Sequence, residues 1–198
     1  MDRVGLIVGR FQPLHKGHTR IINHMIEDCS TVIVGLGSVQ KSREKHDPWN
    51  VEERKQMLRN VYGDRIKIVP LKDLGTEPGT QGWADYVLEK IRKLGLPAPT
   101  DYFTGSHADA VWYKGHFYSG MLNDIYDDER FLNYIVPGTS TRYRMLHVIE
   151  RNDNPVPPAT DIRSFLELRD EGWRRWVPAV NHSIVEQNYP EEFKVPKK

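Results

Sequence analysis

An α/β fold, with a parallel sheet covered by helices on both faces, is what this sequence predicts. Short apolar runs stop at glycine, stretches with helical periodicity follow them, and the two kinds of segment alternate with short joins. Val4–Val8 is an apolar run ending at Gly9, too short for a typical helix and so a buried strand. Beyond a loop containing Pro13, Ile21, Ile22, Met25 and Ile26 recur on one face of a helix. Thr31–Leu36 reads as a second strand, punctuated by Gly35 and Gly37. Asn50 followed three residues later by Glu53 marks a capped helix start, which Met57, Leu58 and Val61 continue. Ile66–Leu71 is a third strand, Trp83–Leu94 a third helix and Tyr102–Thr104 a fourth strand.

From Ala108 to Pro157 the periodicity blurs into aromatic and acidic residues, with Phe131–Val136 and Met145–Ile149 as further strands or as part of an inserted lobe. The prolines at 155, 157 and 158 make a stiff extended connector. Thr160–Arg169 then reads as a helix, Ala179–Gln187 as a last helical segment, and Lys194–Lys198 as a frayed tail. The expectation is one domain over residues 1–198, with room for an inserted lobe at 108–157 and a small helical part at the C-terminus.

Composition narrows the function. The chain has 198 residues and 28 basic against 27 acidic side chains, so its net charge of +1 gives no field suited to nucleic acid or a membrane surface. No apolar stretch is long enough to span a bilayer, and Met1-Asp2-Arg3 lacks the features of a secretory leader. Cys29 is the one cysteine, which excludes an internal disulfide and a cysteine-rich zinc site. A soluble cytoplasmic protein is expected, and a homo-oligomer is compatible with the sequence.

Parallel sheets bind ligands beyond the carboxyl ends of their strands, which directs attention to the loops after Val8, Leu36, Leu71 and Thr104. The first of these is the most informative: Gly9-Arg10-Phe11-Gln12-Pro13-Leu14-His15-Lys16-Gly17-His18. Gly9 lets the backbone turn close to a ligand. Gly17 sits where the helix begins, so polyphosphate can approach its N–H groups and the positive end of its dipole. His15 and His18, three apart across the turn, can donate to phosphate oxygens as charge builds in a transition state. Other readings compete: two ordinary surface histidines, two zinc ligands lacking a third, or glycines kept for packing. The whole string beside a strand end favours phosphate.

With its histidine, any residue, glycine, histidine core, Gly9–His18 resembles the signature of the nucleotidylyltransferase superfamily. The longer string is most similar to the archaeal-type nicotinamide-nucleotide adenylyltransferases. That resemblance implies a Rossmann-like fold and transfer of AMP from ATP to nicotinamide mononucleotide, with magnesium, giving NAD and pyrophosphate. It continues through Gly37-Ser38-Val39-Gln40, Asp47-Pro48-Trp49 and Glu53-Arg54, which are similar to the family's loop and helix after the second strand. It implies that Trp83 stacks on the nicotinamide ring, that Gly105 contacts the adenosine, and that Ser38, Gln40, Arg43 and Trp49 serve the acceptor. Ala159-Thr160-Asp161-Ile162-Arg163 resembles the second signature, in which Thr160 caps a helix and Arg163 reaches the ATP phosphates. Trp173-Arg174 and Val177-Pro178 continue the match.

The departures are specific. His46 stands where the family has an arginine for the mononucleotide phosphate, with Arg43 or Lys45 as its replacement. Pro158 replaces a serine before the second signature, Ser164 and Phe165 replace arginines after it, and no glutamate-rich Nudix box is found. Among the remaining candidates, Lys16 is a solvated side chain that also reaches the triphosphate. The run Lys41, Arg43, Lys45 divides evenly between a solvated loop and phosphate contact. Trp83 would by spacing alone be core.

The mechanism expected is in-line attack by the acceptor phosphate on the α-phosphorus of ATP, which needs no general base. His15 and His18 then steady the α- and β-phosphates, Arg163 the β- and γ-phosphates, and the N–H groups of Gly9, Arg10 and Phe11 the triphosphate. No carboxylate in the sequence stands out as a ligand for the magnesium. The alternatives are the same chemistry on phosphopantetheine or a flavin mononucleotide, and a non-catalytic nucleotide sensor.

Overall fold

In the computed structural model, residues 2–75, 81–105, 145–148 and 156–196 are described. The strands are β1 (Val4–Gly9), β2 (Thr31–Leu36), β3 (Lys67–Pro70), β4 (Asp101–Thr104) and β5 (Met145–Val148). All pair in parallel in the order β3-β2-β1-β4-β5. Gly9, Leu36, Pro70 and Thr104 therefore finish at one edge of the sheet, and the chain leaves β1 and β4 in different directions at the point where the strand order reverses. A crevice opens at such a switch point.

The helices are α1 (Lys16–Asp28), α2 (Val51–Tyr62), α3 (Gln81–Lys93), α4 (Ala159–Glu167) and α5 (His182–Asn188). Alternation along β1 assigns them to faces: Ile7 packs with Ile22, Met25, Met57, Leu58 and Ile162, which come from α1, α2 and α4. Its neighbour Leu6 packs on the other face with Ala84, Val87 and Ile91 of α3. Both faces are covered, as the sequence predicts for a parallel sheet.

Asn50 caps α2 reciprocally with Glu53, as the sequence implied. Met145–Val148 is the edge strand of this same sheet, whereas Phe131–Val136 and most of the 108–157 segment lie outside the described residues. The C-terminal part docks on α2 through Asn181, which donates to Met57 O at 3.0 Å and accepts from Asn60 at 3.0 Å. Of the tail expected to fray, Val195 is tied down, its N donating to Glu167 O at 2.8 Å and its O accepting from Arg169 Nε at 3.0 Å, while residues 197–198 lie outside the described residues. No helix among the described residues is long and apolar enough to cross a membrane.

Candidate active site

A cavity of about 580 Å³ opens where the loops after β1, β2 and β4 meet the start of α4. Its walls include Gly9, Arg10, Phe11, His15, Gly17 and His18 from the first loop and α1. Ser38, Trp83 and Gly105 come from the other loops and α3, and Thr160 and Arg163 from α4.

The paired histidines owe their placement to the helix they start. His15 is the N-cap of α1; its Nδ1 accepts from Gly17 N at 3.1 Å, while His18 Nδ1 accepts from His15 N at 3.4 Å. The rings lie 3.8 Å apart between centroids, and Phe11 packs on His18 at 4.7 Å. A neutral imidazole whose Nδ1 accepts carries its proton on Nε2, which makes that nitrogen the donor of the ring. Gly17 has a reason beyond closeness to a ligand, since a Cβ there would stand 2.9 Å from His15 Cε1. Its N–H is engaged by His15.

Backbone strain collects on the same walls. Phe11 and Ser38 take left-handed φ values of 52° and 51°, which bulky side chains adopt only where the surroundings hold them. Gln12 is buried and grips the backbone of Trp49 with both ends of its amide, donating to Trp49 O at 3.0 Å and accepting from Trp49 N at 3.1 Å. Ser38 Oγ donates to Asp73 Oδ1 at 2.8 Å. Arg10 is half exposed and faces buried Asp47 at 3.5 Å. Arg163 is buried, donating to Gln12 O at 2.7 Å and to Thr160 Oγ1 at 3.1 Å. Burial, and then the nearby charge of Arg10, lowers its pKa.

One expectation is corrected, and the other candidates are found as follows. Thr160 does not cap α4; the N-cap is Pro158, which has no side-chain bond to give, and Thr160 instead orients Arg163. Lys16 is exposed and lies off the cavity wall, its N–H donating to Trp176 O at 2.8 Å. Arg43 is also off the wall, bound to Pro48 O at 2.9 Å, Asn188 O at 2.8 Å and Glu53 at 2.6 Å. It ties the second loop to the C-terminal part. Lys45 pairs with Glu167 at 3.6 Å. Trp49 is core, its indole donating to Val185 O at 3.3 Å, and Gln40 accepts from Asp73 N at 3.2 Å from an exposed position. Trp83, by contrast, does line the cavity, with Tyr86 5.6 Å behind it between ring centroids.

Two residues that bring the walls together carry no strong local signal. Gln12 lies within the first motif but shows its partner only in three dimensions. Arg54, which the family resemblance includes without a role, is wholly buried under the loops after β1 and β2; its place on the core side of α2, beside Met57 and Leu58, is the clue to that burial.

A parallel sheet with a histidine-capped helix at its switch point defines a class of nucleotide-binding enzyme. The chain belongs to the cytidylyltransferase-like family, whose model matches residues 6–164, within the nucleotidylyltransferase superfamily. It is 30% identical over 158 residues to the nicotinamide-nucleotide adenylyltransferase of Picrophilus torridus, covering 77% of this chain and 85% of that one. With the enzyme of the same name from Pyrococcus horikoshii it shares 29% over 147 residues, 72% of each chain. Among solved structures it is similar to a bifunctional NMN adenylyltransferase/ADP ribose pyrophosphatase from Francisella tularensis, with a TM-score of 0.50 and 27% identity over 59% of this chain. The same protein complexed with AMP and a manganese ion gives a TM-score of 0.57 at 18% identity over 95% of this chain. This chain spans 36% and 53% of those two solved chains.

Proposed function

We propose that this protein transfers AMP from ATP to nicotinamide mononucleotide, releasing pyrophosphate and forming NAD. The observation that carries the reading is the pair of histidines at the start of α1, their rings 3.8 Å apart between centroids, set in a cavity that Ser38, Trp83 and Arg163 also line. A phosphate monoester is anionic near neutral pH, so the acceptor attacks the α-phosphorus directly and the protein's task is alignment and charge stabilisation.

In this reading His15 and His18 donate through Nε2 to α- and β-phosphate oxygens as pyrophosphate departs. Arg163, with two donors occupied by Gln12 and Thr160, offers the rest to the β- and γ-phosphates. The backbone from Gly9 to Phe11, with Arg10, borders the triphosphate, and Gly105 and Thr160 border the adenosine end. Ser38 and Trp83 form the acceptor side, with Trp83 as the stacking face for the nicotinamide ring. Arg43, Gln40 and Trp49 support that side from behind.

Magnesium is read as part of the substrate, carried on ATP by phosphate oxygens and water. Among the described residues, no group of three or more His, Cys, Asp or Glu is placed to hold a metal. The test is formation of NAD by the purified protein from ATP, nicotinamide mononucleotide and magnesium.

A further inference from the structure

A wholly buried guanidinium on an enzyme's second helix requires a reason, because its charge is taken out of water at a cost. Arg54 sits in the first turn of α2 with no exposed surface. Its NH1 donates to Arg10 O at 2.9 Å and Gly37 O at 2.7 Å, its NH2 to Ser38 O at 3.1 Å, and its Nε to Asn50 O at 3.3 Å. Three of these carbonyls belong to cavity-lining residues: Arg10 in the loop after β1, and Gly37 and Ser38 in the loop after β2. Of the two loops, the first holds the histidines and the second the acceptor-side serine.

We propose that Arg54 is a positioning residue for adenylyl transfer, its fork of donors fixing the loop after β1 against the loop after β2 and so setting the distance between donor and acceptor sites. The proposal rests on the function given above.

Its surroundings fit that task. Burial pushes the Arg54 pKa down to about 10, and the neighbouring charge of Asp47 opposes that fall while Arg10 adds to it. Asp47 is itself buried, with Oδ2 3.5 Å from Arg10 and Oδ1 lacking a hydrogen-bond partner among the described residues, so its charge serves the two arginines. Ser38 holds its strained φ of 51° between the Arg54 bond to its carbonyl and the bond from its hydroxyl to Asp73. Lysine keeps the charge of arginine but lacks the planar fork that reaches several carbonyls at once.

The test is Arg54→Lys, with turnover, KM for each substrate and ATP affinity by calorimetry all expressed per folded molecule, well below the Tm of the variant. Displacement of one loop by about 1 Å is worth up to roughly 100-fold in rate, so kcat/KM should fall by about ten- to 100-fold. ATP affinity alone should change by less than the rate, because the two loops are needed together only when both substrates react. A purely structural role would lower Tm and leave the kinetics of the folded fraction unchanged, which would overturn the proposal.

The double variant Asp47→Asn/Arg54→Met, which leaves no unbalanced buried charge, guards against misfolding of the single one. It should recover Tm without recovering turnover, and recovery of both would also overturn the proposal. If the wild type makes no NAD but binds ATP, the functional reading fails. Spacing between the loops is then still read out by the distance between spin labels on them, which should broaden in Arg54→Lys; an unchanged distribution would overturn the positioning role.

Discussion

Replacing Gly17 by alanine should damage catalysis while leaving the fold almost as stable as before. The added Cβ would stand 2.9 Å from Cε1 and 3.0 Å from Nδ1 of the His15 ring. Unstrained contacts need about 3.5 Å, so the ring must retreat by roughly 0.5 Å. The bond from Gly17 N to Nδ1, now 3.1 Å, would then stretch beyond useful length. Loss of this cap costs about 1 kcal/mol. Alanine's advantage over glycine inside a helix is also about 1 kcal/mol. The two nearly cancel, and Tm should move by no more than about 4 °C.

The rate has no such compensation. An imidazole displaced by a full ångström costs on the order of 100-fold, so half of that predicts a fall in kcat of about tenfold or more. Steady-state pyrophosphate release and calorimetric Tm on the same preparation decide the matter. Wild-type kcat in a folded Gly17→Ala protein would refute the reasoning that His15 acts on the reacting phosphates.

Three further substitutions test separate walls of the cavity. His18→Ala should lower kcat by roughly 100-fold while ATP affinity weakens only modestly, since its donor acts chiefly in the transition state; near-normal turnover would remove it from the site. Arg163→Lys should raise KM for ATP by about tenfold, because lysine cannot hold Gln12 O and Thr160 Oγ1 and still reach phosphate. An unchanged KM would leave Arg163 a link between α4 and the first loop. Trp83→Ala should raise KM for the mononucleotide far more than for ATP, and equal effects on the two would make Trp83 a packing residue.

What could be read from the sequence was what is local. Thr31–Leu36 is a strand over the expected residues and Asn50 is the expected cap, because apolar periodicity and capping chemistry need only a few neighbouring residues. The motif from Gly9 to His18 likewise predicts its own place at a strand end and helix start.

Long-range pairings were not legible in this way. By sequence Arg43 divides evenly between a solvated side chain and a phosphate ligand, yet Asn188, 145 residues away, accepts one of its donors. Trp49 looked like part of the acceptor loop, and Val185 holds its indole in the core. Thr160 had the chemistry of a cap, but α4 begins one residue before it and its hydroxyl turns to Arg163. The histidine cap itself was missed because imidazole is outside the usual Ser, Thr, Asp and Asn set.

The account as a whole stands on its acceptor. His46 is exposed in this structure, and the family resemblance implies an arginine for the mononucleotide phosphate at its place, so phosphate grip and base recognition need to be separated. The measurement is pyrophosphate release from ATP and magnesium with a panel of acceptors assayed side by side: nicotinamide mononucleotide, nicotinic acid mononucleotide, flavin mononucleotide and phosphopantetheine. The account predicts the greatest kcat/KM with nicotinamide mononucleotide and NAD as its product, with the loss of the arginine appearing as a high KM. A preference for phosphopantetheine or flavin mononucleotide would contradict the acceptor while leaving the superfamily in place. No pyrophosphate from any acceptor, in a protein that still binds ATP, would contradict the enzyme and leave a nucleotide sensor.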